Sequence, residues 1–381
     1  MFRLAHPRAH FRRGLTHYAR APSIAAERCR FAAVAATLAC AASATADTLY
    51  YADIFNPSFS FGALRKVAPS GDGMETLIEV GSGLRGVAVD QAAGHMYFTL
   101  VEPPSIQRCN LDGAGAKTLI STTEVPTLAF PFGIALDLSA GKMYWADLTA
   151  QQLWRANLDG SDPQPLHDTP ISWNIALDKV NDKIYWSTAL TGRHGEILRS
   201  NIDGSDIETV VSSTDVDFKP AALALDVAGG KIYWTDFVVD VVRRANLDGT
   251  DIQTLYTVGA NNNPNGIVLD LVHGKVYWGQ DVDSQLQIGS IMRMDLDGAS
   301  PETVLVNAGS IPTLFFAECA ADIAPTAGNA AVNVDDLLSV INTWGPCVNK
   351  SCPADVFPPA GDGVVDERDL VTVMTAWGQC P

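Results

Sequence analysis

The chain has 381 residues, 26 basic and 43 acidic side chains, 47% hydrophobic residues, 31 Gly and 21 Pro. The apolar fraction suits a packed core and excludes wholesale disorder. A net charge of -17 excludes a basic nucleic-acid-binding face, and the Gly and Pro content favours many short strands over long helices.

Residues 1–30 hold seven Arg and one acid, Glu27, and an Ala-rich apolar run follows from Phe31 to Ala42. It ends in Ala44-Thr45-Ala46, a small-residue cleavage pattern before Asp47, and predicts a secretory signal over 1–46. Arg12-Arg13 leaves a twin-arginine signal open, and Leu38-Ala39-Cys40 leaves lipidation open. Removal of 1–46 takes the net charge to -23. No later run reaches the roughly 18–20 apolar residues of a membrane helix.

From Tyr50 onward an aromatic pair recurs six times. It reads Tyr50-Tyr51-Ala52-Asp53, Tyr97-Phe98-Thr99-Leu100, Tyr144-Trp145-Ala146-Asp147, Tyr185-Trp186-Ser187-Thr188, Tyr233-Trp234-Thr235-Asp236 and Tyr277-Trp278-Gly279-Gln280. An apolar strand ending in Asp precedes each of the last five, such as Gly133-Ile134-Ala135-Leu136-Asp137, and a Leu/Ile-Asp-Gly turn follows each. The Asp-Gly pair supplies the positive φ of a tight hairpin. Four strands per unit of about 45 residues make a propeller blade. The mature start, Thr48–Asp53, lacks an inner strand, and Pro312–Glu318 reads as an inner strand without a motif. Joining the two halves closes six blades and removes an open edge.

These motifs resemble the YWTD (class B) repeats of the low-density-lipoprotein receptor family over roughly residues 48–318, with Tyr233-Trp234-Thr235-Asp236 a full match. The resemblance implies an all-β six-bladed β-propeller over 47–318. It also implies that the motif Asp residues hydrogen-bond to a neighbouring blade.

Loop lengths separate two faces. From the inner-strand Asp to the residue before the motif Tyr the step is always 6, whereas all other loop variation falls on the opposite face, called the top here. Length-tolerant loops commonly carry binding. The top loops hold Phe55, Phe59, Phe61, Phe130, Trp173, Phe218 and Phe237, the candidate ligand-binding residues for a protein or glycan; packing between blades is the other role open to these rings. Asp215, Asp217, Asp281 and Asp283 could bind a cation. No HExxH, Gly-x-Ser-x-Gly or phosphate-loop pattern occurs, and the expectation is a binding protein, not an enzyme. The alternative is a lactonase-like propeller hydrolase or lyase with a channel metal.

Residues 319–381 hold four of the seven Cys, eight acids and two bases, arranged as a duplication offset by 33. Each copy is an oxygen-rich loop followed by a short amphipathic helix, Val334–Trp344 or Glu367–Trp377. Asp362, Asp366, Asp369 and the Val364 carbonyl can face one calcium ion, with Gly363 permitting the turn and Asp355 extending the loop. Asp322, Asn329, Asn333 and Asp336 form the poorer first loop. The pattern resembles the duplicated F-hand of type I dockerin modules, the cohesin-binding domains of bacterial cellulosomal proteins. It implies calcium and a cohesin-like or cell-surface partner. The first half of loop two is three residues too long, and Asn329-Ala330 replaces Asp-Gly in loop one. If each loop holds an ion, the helix length separates the cysteines within a copy by roughly 15 Å. Antiparallel helices then pair Cys319 with Cys380 and Cys347 with Cys352. Cys109 is left as a small buried residue.

Overall fold

The computed structural model describes residues 48–54, 62–80, 83–168, 172–188, 194–259, 262–283, 288–306, 310–317, 345–346 and 364–365. Twenty-four of its strands form six four-stranded antiparallel sheets. In blade 1, β1 (Thr48–Ile54), β2 (Gly62–Val67) and β3 (Glu75–Val80) are joined by β24 (Ser310–Ala317) as the innermost strand. β24 therefore closes the ring, as the two half-units required. Blade 2 is β4–β7 (Leu84–Asp90, His95–Val101, Pro104–Asn110, Lys117–Ser121). Blade 3 is β8–β11 (Pro131–Asp137, Lys142–Asp147, Gln152–Asn157, Gln164–Asp168). Blade 4 is β12–β15 (Ser172–Asp178, Lys183–Thr188, Glu196–Asn201, Glu208–Ser212). Blade 5 is β16–β19 (Pro220–Asp226, Lys231–Asp236, Val241–Asn246, Gln253–Thr257). Blade 6 is β20–β23 (Pro264–Asp270, Lys275–Asp283, Ile288–Asp295, Glu302–Val306). No helix occurs among the described residues, so none there is long and apolar enough to cross a membrane.

The aromatic pair works through the two-residue period of a strand. Successive side chains point to opposite faces of a blade. Tyr144 joins the hydrophobic cluster shared with blade 4, with Ile175, Ile184 and Trp186. Its neighbour Trp145 joins the cluster shared with blade 2, with Tyr97, Ile106 and Ile120. Tyr233 and Trp234 divide between the two flanking seams in the same way. The core therefore lies in the seams, and motif strands such as β9 are buried on both faces.

Polar contacts fix several seams at their top or bottom ends, and those of blades 4–5 and 5–6 at both. At the top, the Thr99 hydroxyl donates to the Phe132 carbonyl of the next blade at 2.7 Å, and Thr235 donates to the Asn265 carbonyl at 2.6 Å. Ser187 donates likewise to the Ala221 carbonyl. At the bottom, Arg199, Arg244 and Arg293 donate to the carbonyls of Leu247, Leu296 and Pro69 of the following blade, at 3.2, 2.8 and 2.9 Å. Thus the third motif residue reaches the neighbouring blade. The motif Asp does something else, contrary to what the resemblance implied. Asp147 accepts from the backbone N–H groups of Ala129 and Phe130, in the link entering its own blade, and of Thr149 and Ala150, in its own loop. A carboxylate with four backbone donors converging on it is satisfied where it stands.

Cys109 lies buried in the seam between blades 1 and 2, and burial pushes its thiol up to about 11. In the C-terminal segment, Gly345–Pro346 pairs antiparallel with Val364–Val365. The expected helices, Cys319, Cys347, Cys352 and Cys380 lie outside the described residues, as does the expected signal over 1–46.

Candidate functional site

The six inner strands, β4, β8, β12, β16, β20 and β24, neighbour one another around a central channel. Each enters from the top, so its first residues ring the upper mouth. The ladder breaks at one point in every inner strand, as between Pro131 and Ile134 or between Pro264 and Ile267. The two residues in this irregularity sit at the mouth. By register the first of them is Arg85, Phe132, Trp173, Ala221 and Asn265 in blades 2, 3, 4, 5 and 6. The ring is lopsided: one cation and two aromatics occupy blades 2–4, and smaller residues occupy blades 5 and 6.

The aromatic side continues outward. Phe130 stacks on Phe132 at 6.3 Å, Phe132 meets Trp173 at 5.5 Å, and Trp173 stacks on Phe237 at 4.9 Å. Four rings from blades 3, 4 and 5 thus form one row. Arg85 lies over Phe130 and Phe132, at 5.5 and 5.8 Å, and donates to the Leu84 carbonyl at 2.8 Å. Burial lowers its guanidinium to about 10, because the charged form has lost water. Cation–π contact offsets part of that loss.

Between the aromatic and small halves lies a small, open cavity lined by Phe132, Trp173, Asn174, Ala221, Ala222 and Asn265. Its walls carry two carboxamides and no ionisable side chain. Gly133 is required here: a Cβ would press on Asn174 Cα, at 2.8 Å, and on the Trp173 carbonyl, at 3.0 Å. The missing side chain lets blades 3 and 4 close beneath the aromatics.

Of the seven candidate ligand-binding residues, Phe130, Trp173 and Phe237 are brought together. Phe218 is not on the surface: it is 3% exposed, packs with Leu223 and Trp234, and lies under Arg243. Its aromatic ring closes a seam instead. Phe55, Phe59 and Phe61 lie outside the described residues. Sequence reading missed Phe132, Arg85, Asn174 and Asn265. The available signal was a column: aligned on the terminal Asp of each inner strand, one position runs Arg, Phe, Trp, Ala, Asn, the widest chemical range in the strand.

Asp215 and Asp217 are exposed on the top, where the Asp215 carboxylate accepts from the Asp217 N–H at 3.0 Å. No group of three or more His, Cys, Asp or Glu side chains among the described residues is placed to hold a metal. Of the calcium candidates only Val364 is described, in the strand pair opposite Pro346. Asp322, Asn329, Asn333, Asp336, Asp355, Asp362, Asp366 and Asp369 lie outside the described residues.

Residues 230–271, spanning the second strand of blade 5 to the first turn of blade 6, match the low-density lipoprotein receptor repeat class B. The molecule is a six-bladed β-propeller in which this one stretch matches that repeat. It is 36% identical over 89 residues to the low-density lipoprotein receptor-related protein 1 of Pyricularia oryzae, covering 22% of this chain and 29% of that protein. It is 34% identical over 164 residues to the human low-density lipoprotein receptor-related protein 5-like protein, covering 42% of this chain and 62% of that one. The matches thus span less than two thirds of either relative. Among solved structures, the nidogen/laminin complex contains a chain with a TM-score of 0.59 at 20% identity, covering 71% of this chain and 98% of that one. TolB from Acinetobacter baumannii reaches 0.56 at 12% identity, over 71% and 66%. At such identities these likenesses show the fold.

Proposed function

We propose that this protein is an exported binding protein that captures a protein ligand at the upper mouth of its propeller. The observation that carries this reading is the row Phe130–Phe132–Trp173–Phe237 beside a cavity whose lining has no acid, base or nucleophile. Rings stacked on one another present edges rather than a flat platform. That suits an inserted apolar side chain better than the face of a sugar ring. A complex with laminin among the structural neighbours supports a protein as the ligand class. The repeat match to receptor-related proteins supports an extracellular setting.

The C-terminal segment, in this reading, binds calcium through Asp355, Asp362, Val364, Asp366 and Asp369, with Asp322, Asn329, Asn333 and Asp336 as a weaker second set. It attaches the protein to a cohesin-like or cell-surface partner. Calorimetric titration of the full chain with calcium tests this; Asp366→Ala with Asp369→Ala should abolish the tighter event.

For the mouth, the immobilised protein is screened against extracellular proteins and loop peptides. Trp173→Ala, which removes the central ring, should weaken capture at least tenfold, and Phe237→Ala, which removes the end ring, severalfold, each leaving the melting temperature within a few degrees. Retained capture by both variants refutes the site. Chelator-sensitive turnover of an ester or lactone would instead favour the hydrolase or lyase alternative.

A further inference from the structure

The repeat places its bases low in each blade. Lys142, Lys183, Lys231 and Lys275 open their motif strands at the bottom and bond the side chain facing them across the hairpin. Two residues further up, Arg155, Arg199, Arg244 and Arg293 stand opposite the motif Tyr. Among the described residues the upper half is left with Arg65, Arg85, Lys219 and Arg243 as its only Lys and Arg, and none of them is exposed. Arg65 and Arg243 reach the motif carboxylates Asp53 and Asp236, at 2.9 and 3.7 Å. Arg85 is buried against the rings of Phe130 and Phe132.

The acids are distributed differently. Glu124, Asp168, Asp215 and Asp217 are all exposed, and they belong to the three links beside the aromatic row. Glu124 lies in the link from blade 2 to blade 3, which carries Phe130. Asp168 ends β11, and the chain then enters β12 with Trp173. Asp215 and Asp217 lie in the link from blade 4 to blade 5, where the Lys219 carbonyl accepts from the Phe237 N–H at 3.3 Å. Glu124 accepts from Ser121, Asp168 from Gln152 and Asp215 from the Asp217 N–H. None of these donors is a cation, so the negative charge stands. The same stretch exposes aliphatic side chains: Val216, between the two acids, is 59% exposed, and Val238, directly after Phe237, is 42% exposed.

We propose that the partner segment taken at the upper mouth is basic: an aliphatic side chain seats beside Trp173 and Phe237, and Lys or Arg residues next to it face Glu124, Asp168, Asp215 and Asp217. The inference rests on capture of a protein segment at this mouth and adds the chemistry that selects it. An apolar site rimmed by one sign of charge admits the opposite sign beside its anchor and rejects the same sign. Exposed ion pairs are individually weak, so the rim acts collectively, by steering the approach, and salt screens it.

The test pans the immobilised full chain with a displayed library of random heptapeptides. Enriched peptides should carry Lys or Arg within two residues of Leu, Ile or Val, and Trp173→Ala should lose them. Their association with the parent should slow at least tenfold between about 20 mM and about 500 mM salt, with the dissociation rate nearly constant. In the variant Asp168→Lys/Asp217→Lys, whose changes lie on exposed positions, association should slow at least tenfold at the lower salt and less than about threefold at the higher. The parent's salt series stands even if that variant does not fold. Peptides that need Trp173 but are neutral or acidic, or that bind independently of salt, overturn this inference and leave the mouth as the binding site. A library that enriches nothing, or peptides that Trp173→Ala retains, overturn the mouth itself and this inference with it.

Discussion

The two faces of the propeller are built from the same repeat, yet they solve different problems. On the lower face every turn between the first two strands has one length, and its carboxylate is consumed by the turn itself. The second set of lower turns, such as Leu247-Asp248-Gly249, also touches the blade before it. A Cβ on Gly249 would run into the Val210 carbonyl, and φ there is +83°. Any change of length would break both the hairpin and the seam. The upper face has neither constraint, so its loops vary, and side chains at the channel mouth are released from structural duty. The lesson is that recognition sits where the repeat stops repeating.

The sharpest way to break this contrast is at the glycines. Gly249→Ala combines a left-handed backbone, costing about 1–2 kcal/mol, with a collision against backbone, costing about 1–3 kcal/mol. Gly274 also has positive φ, +65°, but a Cβ there meets nothing within 4 Å. Gly274→Ala should therefore cost only the backbone share, and denaturant melts of the two variants should differ by about 2 kcal/mol. Equal losses would mean that the lower turns do not brace the seams.

The next effect concerns Asp53, whose carboxylate is 2.9 Å from Arg65 Nε. Burial, only partly offset by Arg65, raises Asp53 to about 6 from 3.8. Between about pH 4 and 6 the folded state keeps a proton that the unfolded chain has released. Stability is therefore lost as pH rises through that window, the reverse of the usual carboxylate effect. Asp53→Asn lacks this dependence. The stability difference between parent and variant should shift by about 2–3 kcal/mol between pH 4 and pH 7, and a flat difference would refute the raised value.

Smaller still is the top seam lock. Thr235→Val keeps the shape and removes the hydroxyl that bonds the Asn265 carbonyl, and should cost about 1–2 kcal/mol in urea unfolding. Smallest on the stability scale is Phe237→Ala at the edge of the aromatic row. It should cost less than about 1 kcal/mol while weakening ligand capture severalfold, the converse of the glycine variants.

Much of this architecture was legible from the chain alone. The Tyr-aromatic period and the Asp-Gly turns specify six four-stranded blades because both signals are local: a strand alternates its faces, and a hairpin needs positive φ. Even ring closure followed, since two half-units must pair to remove an edge. The lower face was nearly complete in the sequence for the same reason, each Asp meeting partners three residues away. The unassigned negative charge of the propeller belongs largely to these turns, where carboxylates serve as caps.

The mouth was not legible. Phe132, Trp173 and Phe237 are 41 and 64 residues apart in sequence, and only the circular arrangement of inner strands sets them in one row. The same ring places Arg85 over two phenylalanines and buries Phe218 that its loop position had suggested was exposed. Periodicity along the chain says how each blade is made, because backbone geometry repeats with the residues. Which side chains face one another across the channel depends on how six blades close around an axis. That is a property of the packed ring, and only the tertiary structure decided it.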